Sequence, residues 1–234
     1  MSIADNVKKV QQSIIDAAVA AGRDPAGITL VAASKTQTPE IIREAFAGGI
    51  QVFGENRVQE LTANNAAGAY EGAKLHFIGH LQTNKVKQIV GVVDLIESCG
   101  SLHLAQAISA QAVKKGITQH ILVEVNIGRE AEKSGIMPEE VDELLPQIAM
   151  LPGIFIDGLM TIAPKPENST SNRKYFQDMY RIYIDNAKKS CNNISLEILS
   201  MGMSADYAEA IACGANMVRV GTAIFGPRAY PAAT

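Results

Sequence analysis

Short apolar runs alternate along the chain with longer stretches in which apolar residues recur every three to four positions. The runs fall at residues 28–34, 50–54, 75–79, 92–96, 120–125, 154–161, 196–200 and 217–221. They are rich in Val, Ile, Leu and Phe and nearly continuous, the pattern of parallel strands covered on both faces. Between them the spacing is helical. Val7, Val10, Ile14 and Ala17–Ala18 share one face of a helix over 4–21. Thr38-Pro39-Glu40 reads as a helix start, with a Thr cap, a Pro at the first helical position and an acid in the first turn. Met137-Pro138-Glu139-Glu140 and Ser204-Ala205-Asp206 read the same way, and Thr83 and Ser101 are candidate caps. Gly22, Gly48–Gly49, Gly116 and Gly214 stand where helices should end. Eight strands alternating with helices, preceded by one extra helix, predict a TIM-like (β/α)8 barrel of the α/β class. An open doubly wound sheet is the alternative and would ordinarily have fewer strands.

The 234 residues suit one such barrel and are short for two domains. No composition shift or Ser/Pro-rich linker divides residues 1–234, so a single domain is expected. The polar, Pro-containing stretch 163–172 follows a strand and is read as a loop over the barrel mouth. The formal net charge is −3, and the pairs Lys8–Lys9, Lys85/Lys87, Lys114–Lys115 and Lys188–Lys189 read as solvated helix faces, so nucleic acid is not an expected partner. No run is long enough to span a membrane, and the N-terminus lacks the apolar segment of a signal peptide, so a cytoplasmic location is expected. Cys99, Cys191 and Cys213 have no metal-ligand spacing and are expected to be reduced and structural, with no metal bound.

Candidate chemistry gathers where the apolar runs stop: Ser34-Lys35, Glu55-Asn56-Arg57, His80 with Gln82, Glu97-Ser98, Glu124 with Asn126, Thr161, Ser200-Met201-Gly202, and Arg219 with Gly221-Thr222. In a barrel these ends converge on one face, the face where barrel enzymes place their sites. One polar strand end needs no explanation, but eight together point to a binding site. A single Lys is ordinarily a solvated surface residue. Lys35, however, directly ends the run 28–34, so its stem starts at the barrel mouth. Partial desolvation there favours the neutral amine, which can attack an aldehyde to form a Schiff base. Ser200-Met-Gly-Met-Ser204 and Gly221-Thr222 suit a phosphate, because small residues let backbone N–H groups approach an anion. Tight turns, and a helix cap at Ser204, would account for the same residues. An aldolase-type lysine with a phosphorylated substrate and a pyridoxal 5′-phosphate (PLP) lysine both fit.

The segments LVAASKTQTPEIIREAFAGGIQVFGENRVQE (30–60), HFIGHLQTNKVKQIV (76–90), ILVEVNIGREAEKSGI (121–136), GLMTIAP (158–164) and LSMGMSADYAEAIACGANMVRVGTAIFGPR (199–228) cover most of the chain. Taken together and in this order, they resemble the PLP homeostasis protein family, whose barrel is similar to the N-terminal domain of alanine racemase. The resemblance implies that Lys35 holds PLP as a Schiff base and that Ser200, Ser204, Gly221 and Thr222 bind its phosphate. It implies that Arg219 faces the pyridine nitrogen, that Asn56 and His80 lie beside the ring, and that Met201 packs nearby. For His80, a satisfied core histidine is the alternative. A guanidinium can only donate to the ring nitrogen, which makes the ring a weaker electron sink than one paired with a carboxylate.

Alanine racemase also needs a second base, a Tyr from an additional domain. This chain is expected to lack room for that domain, and Tyr70, Tyr175, Tyr180, Tyr183, Tyr207 and Tyr230 are expected to pack rather than react. The reading is therefore a PLP-binding protein for storage, buffering or delivery, not an enzyme, with no catalytic residue assigned. A PLP-dependent racemase or decarboxylase is the first alternative, and a PLP-free aldolase or phosphate-metabolite binder the second. The expected partners are PLP, other B6 vitamers sharing its phosphate, and transient acceptor enzymes. The barrel itself is expected to be a monomer.

Overall fold

A computed structural model describes residues 2–165, 171–188 and 192–227. Eight parallel strands, β1 (Thr29–Ala33), β2 (Val52–Glu55), β3 (Lys74–Phe77), β4 (Leu95–Cys99), β5 (Gln119–Val125), β6 (Ile154–Thr161), β7 (Ile194–Ser200) and β8 (Met217–Val220), close into a barrel in chain order. Closure is made by β8 against β1, with Arg219 beside Val31. The helices α2 (Pro39–Ala47), α3 (Val58–Ala66), α4 (Val86–Ile89), α5 (Leu102–Lys115), α6 (Val141–Ala149), α7 (Arg173–Ala187), α8 (Tyr207–Ala212) and α9 (Thr222–Phe225) follow successive strands, and α1 (Ile3–Ala20) precedes them all. The start of α1 is held by a capping box, in which Ser2 and Asp5 each accept the other's backbone amide at 3.1 Å. Its buried stripe is Val7, Val10, Ile14 and Ala18. Ser101 caps α5 by accepting the Leu104 amide, and Gly116 ends that helix in a left-handed turn.

Two apolar layers hold the barrel. The outer one lies between strands and helices and includes Phe53, Phe77 and Phe176, each fully buried. Every such aromatic contributes roughly 1.5–3 kcal/mol by leaving water. The inner one plugs the barrel with Val31, Ala33, Val52, Ile78, Leu95, Leu122, Met160 and Met217. Because side chains alternate across a strand, the residue two positions beyond an inner plug residue also points inward, one layer nearer the mouth. Ala33 thus leads to Lys35, Ile78 to His80, Leu95 to Glu97, Leu122 to Glu124 and Met217 to Arg219.

Several expected boundaries move. β4 begins at Leu95, not 92, because Asp94 turns its carboxylate onto the Leu75 amide at 2.7 Å and Val92 stays exposed. Glu97 and Ser98 therefore lie inside the sheet. β2 extends to Glu55, whose carboxylate accepts the Ser34 hydroxyl at 2.8 Å and the Tyr70 hydroxyl at 2.6 Å. Glu55 thus serves the outer layer and not the mouth. α8 starts at Tyr207 rather than at Ser204, Thr83 lies inside a 3-10 turn, and Thr38 makes no capping hydrogen bond. Of the stretch 163–172, residues 166–170 lie outside the described residues, as do Cys191 and Tyr230. Asn172 ties the far end of that stretch to Asp206 at 2.8 Å. Cys99 and Cys213 are buried, and burial pushes the Cys99 thiol up to about 12, which keeps it unreactive. Among the described residues, no helix is long and apolar enough to cross a membrane.

One backbone contact sets the mouth. A Cβ on Gly79 would lie 2.1 Å from the Asn56 carbonyl oxygen, so the chain leaving β3 touches the end of β2 directly. Gly79→Ala is expected to lower stability by about 3 kcal/mol, read from the urea midpoint. An unchanged midpoint would mean that the two strand ends move apart freely.

Candidate functional site

The backbone on both sides of Lys35 is pinned. Ser34 donates its amide to Gly54 at 3.0 Å and its hydroxyl to Glu55. Thr36, next along, takes a left-handed conformation with φ +65°, unfavourable for a β-branched residue. Its amide donates to Glu60 Oε2 at 3.0 Å, and Glu60 also receives Arg57 at 3.2 Å. This held turn sets Lys35, half-buried, at the rim of the barrel.

On the far side of the β1–β8 seam from Lys35, the Gly221 amide donates to Ser204 Oγ at 3.2 Å. Ser204 is therefore not a helix cap but part of a contact between the turns after β7 and β8. Gly202, at φ +93°, is required there, since a Cβ would lie 2.6 Å from the Cβ of Ala210. A Cβ on Gly221 would approach the Ala33 carbonyl to 3.2 Å, so this glycine lies against the end of β1. Thr222 follows and is exposed.

Arg219 lies deeper, two residues before Gly221 on β8 and beside Val31, and is 4% exposed. It donates Nη1 to Ser200 Oγ at 2.5 Å and Nη2 to the Thr161 carbonyl at 2.8 Å. Ser200 Oγ donates a hydrogen bond to Glu97 Oε2 at 2.7 Å, and His76 Nδ1 meets Glu97 Oε1 at 2.7 Å. Glu97 Oε2 is 3.8 Å from Arg219 Nη1. Burial alone would raise the Glu97 carboxyl. The hydrogen bond and charge of His76, the charge of Arg219 and the Ser200 hydroxyl more than offset it, holding Glu97 below the ordinary carboxylate range.

Two buried oxygens at this level have no hydrogen-bond partner among the described residues: Asn56 Oδ1 and Glu124 Oε2. Glu124 accepts Ser134 at 3.2 Å with its other oxygen, and burial raises its carboxyl. His80 is exposed and lines a cavity of about 640 Å³ together with Gln82, Ser98, Ser101 and Ser134. It is no core histidine.

Lys35, Asn56, His80, Ser204, Arg219, Gly221 and Thr222 therefore share the C-terminal face of the barrel. Two expected residues stand differently. Ser200 is fully buried, with its hydroxyl hydrogen-bonded between Glu97 and Arg219. Met201, one position on, points the other way by strand alternation and lies fully buried in the helix-facing layer. Asn126 clamps its own loop, with Nδ2 to the Glu130 carbonyl at 2.8 Å and Oδ1 accepting the Glu130 amide at 3.1 Å.

The model of the alanine racemase N-terminal domain matches residues 2–229. The chain belongs to that family. The pyridoxal phosphate homeostasis protein of Aquifex aeolicus is 42% identical, covering 98% of this chain and 100% of the relative. That of Escherichia coli K12 is 38% identical, covering 97% of each. Among solved structures, PipY of Synechococcus elongatus with PLP bound superposes with a TM-score of 0.83 at 31% identity, over 96% of this chain and 100% of PipY. Alanine racemase of Clostridium difficile shares the fold, with a TM-score of 0.72 at 17% identity, over 97% of this chain and 58% of the racemase.

Sequence reasoning missed His76 and Glu60. The signal for His76 was present: an ionisable residue inside the apolar run 75–79, two positions before Ile78 and four before His80, faces the barrel interior. Glu60, in α3, gives no such signal, because only the fold brings it to the Thr36 amide.

Proposed function

We propose that this chain binds PLP at the barrel mouth and acts in PLP homeostasis by storing, buffering or delivering it, without a turnover of its own. PLP supplies an aldehyde that a lysine amine can capture as a Schiff base, a phosphate, and a pyridine nitrogen that accepts a hydrogen bond. The residues present fit that set. The observation that carries the reading is the placement of Lys35 at the end of β1, beside the Ser204–Gly221 contact and the buried Arg219. The full-length likeness to PipY, solved with PLP, supports it.

In this reading Lys35 forms the Schiff base, and Ser204 with the Gly221 and Thr222 backbone takes the phosphate. Arg219 donates to the ring nitrogen, and Asn56, whose Oδ1 has no partner among the described residues, lies beside the ring with His80. A permanently charged donor at the ring nitrogen keeps that nitrogen unprotonated and gives weak support to carbanion chemistry. That favours a carrier over a racemase or decarboxylase. Vitamers with the phosphate but no aldehyde, such as pyridoxine 5′-phosphate, compete without forming the covalent link.

Titration of the purified protein with PLP tests the reading. The expected result is a new visible absorption band, and after borohydride a mass increase of one cofactor per chain. No band and no adduct would return the chain to a phosphate-binding barrel of another ligand. Ser204→Ala is expected to weaken PLP binding about tenfold by removing one hydrogen bond to a charged phosphate. Equal affinity would move the phosphate away from the Ser204–Gly221 turn.

A further inference from the structure

We propose that Glu97 is a positioning residue for the cofactor, acting on the ring nitrogen through Ser200 and Arg219. The proposal rests on the reading in which Arg219 faces that nitrogen. Arg219 has five N–H donors and almost no access to water, so the acceptors around it determine which donors remain for a ligand. Two are fixed by the barrel: the Thr161 carbonyl on β6 and the Ser200 hydroxyl on β7. A carbonyl is an acceptor whatever its neighbours do. A hydroxyl accepts from Arg219 along a defined direction only if its proton is committed elsewhere, and Glu97 Oε2 commits it at 2.7 Å.

Glu97 is in turn fixed from behind by His76, bound to its other oxygen at 2.7 Å. Both carboxylate oxygens are therefore in use as acceptors, one for each neighbour. The chain of contacts runs from β3 through β4 and β7 to β8, through side chains that are all buried. The negative charge of Glu97, 3.8 Å from Nη1, offsets part of the cost of burying the guanidinium. Glu124, on β5, contributes to the field at Arg219 but makes no hydrogen bond to it.

Glu97→Gln separates positioning from mere filling of space. The amide has nearly the same shape but no charge and only one acceptor oxygen, so Arg219 loses its buried counter-charge and one of the two neighbours, His76 or Ser200, meets an N–H donor instead. Without a carboxylate to order the Ser200 hydroxyl and pair with the guanidinium, Arg219 loses its fixed aim. The readout is the affinity for PLP relative to 1-deaza-PLP, in which C–H replaces the ring nitrogen while aldehyde and phosphate remain. The wild type is expected to prefer PLP about tenfold, the worth of one hydrogen bond to a charged donor. Glu97→Gln is expected to reduce that preference to within about twofold, with the affinity for the deaza analogue unchanged.

An unchanged preference in folded Glu97→Gln overturns the proposal, and so does a wild type that does not distinguish the two ligands. Loss of affinity for both ligands alike assigns Glu97 a merely structural role and also overturns it. If Glu97→Gln does not fold, Ser200→Ala carries the same test, because it keeps the carboxylate and deletes only the link to Arg219. A full preference retained there overturns the proposal. A wild type that binds neither ligand instead defeats the PLP reading itself.

Discussion

Lys35→Ala is expected to abolish covalent attachment of PLP while leaving the barrel folded. The turn around this residue is held by atoms other than its side chain: the Ser34 amide and hydroxyl on β2, and the Thr36 amide on Glu60. Removing a half-buried amine at the rim, together with the interaction made there, should therefore lower stability by about 1 kcal/mol. The proposed phosphate contacts at Ser204 and Gly221 lie on the turns after β7 and β8 and would stay in place, so residual binding is expected, weaker by roughly 100-fold, or about 2.7 kcal/mol. Mass spectrometry after borohydride reduction is the direct measurement. The wild type should carry the reduced cofactor and the variant none. An adduct of equal yield in the variant would assign the Schiff base to another lysine.

Arg219→Met is the substitution with the largest expected effect on stability. It removes one member of a buried ion pair and leaves Glu97, fully buried, with His76 and Ser200 as its remaining hydrogen-bond partners. Breaking such a pair from one side costs about 3–5 kcal/mol, more than the contact itself contributes, because the remaining charge stays desolvated. The deficit has a pH signature. In the wild type Arg219 is one of the groups that lower the Glu97 carboxyl, so its loss moves the folded-state value upward. Between the variant's higher value and the wild type's lower one, the variant binds the extra proton in its folded state. Its deficit should therefore shrink as pH falls through that window and be largest above it. Chemical denaturation at several pH values measures this. A deficit independent of pH would mean that the carboxylate of Glu97 is satisfied without Arg219.

The periodicity of the chain sufficed for the architecture. Near-continuous apolar runs mean strands covered on both faces, and eight of them separated by helices have few ways to bury those faces other than a closed parallel barrel. The mouth was legible for the same reason. A residue that ends an apolar run on the inward face must project at the strand's C-terminal end, and Lys35 and His80 obey that rule, whereas Arg219 lies inside β8. The motif likeness added roles that spacing alone left open between a PLP lysine and an aldolase lysine.

What the tertiary structure decided concerns alternation and distance. A one-residue difference along β7 separates Ser200, inward against Arg219, from Met201, outward in the helix layer, although both belong to one motif. Glu55, adjacent to Asn56 in sequence, faces Tyr70 and not the mouth. Ser204 looks like a helix cap in the sequence, yet it accepts an amide 17 residues away, because the turns after β7 and β8 meet only when the barrel closes. The Glu97–Ser200 bond spans 103 residues. No local pattern records such a partner, since the physical cause is strand order around a closed sheet. A hydrophobic pattern determines which face of each strand is buried, but which buried polar groups meet one another is settled by register and closure.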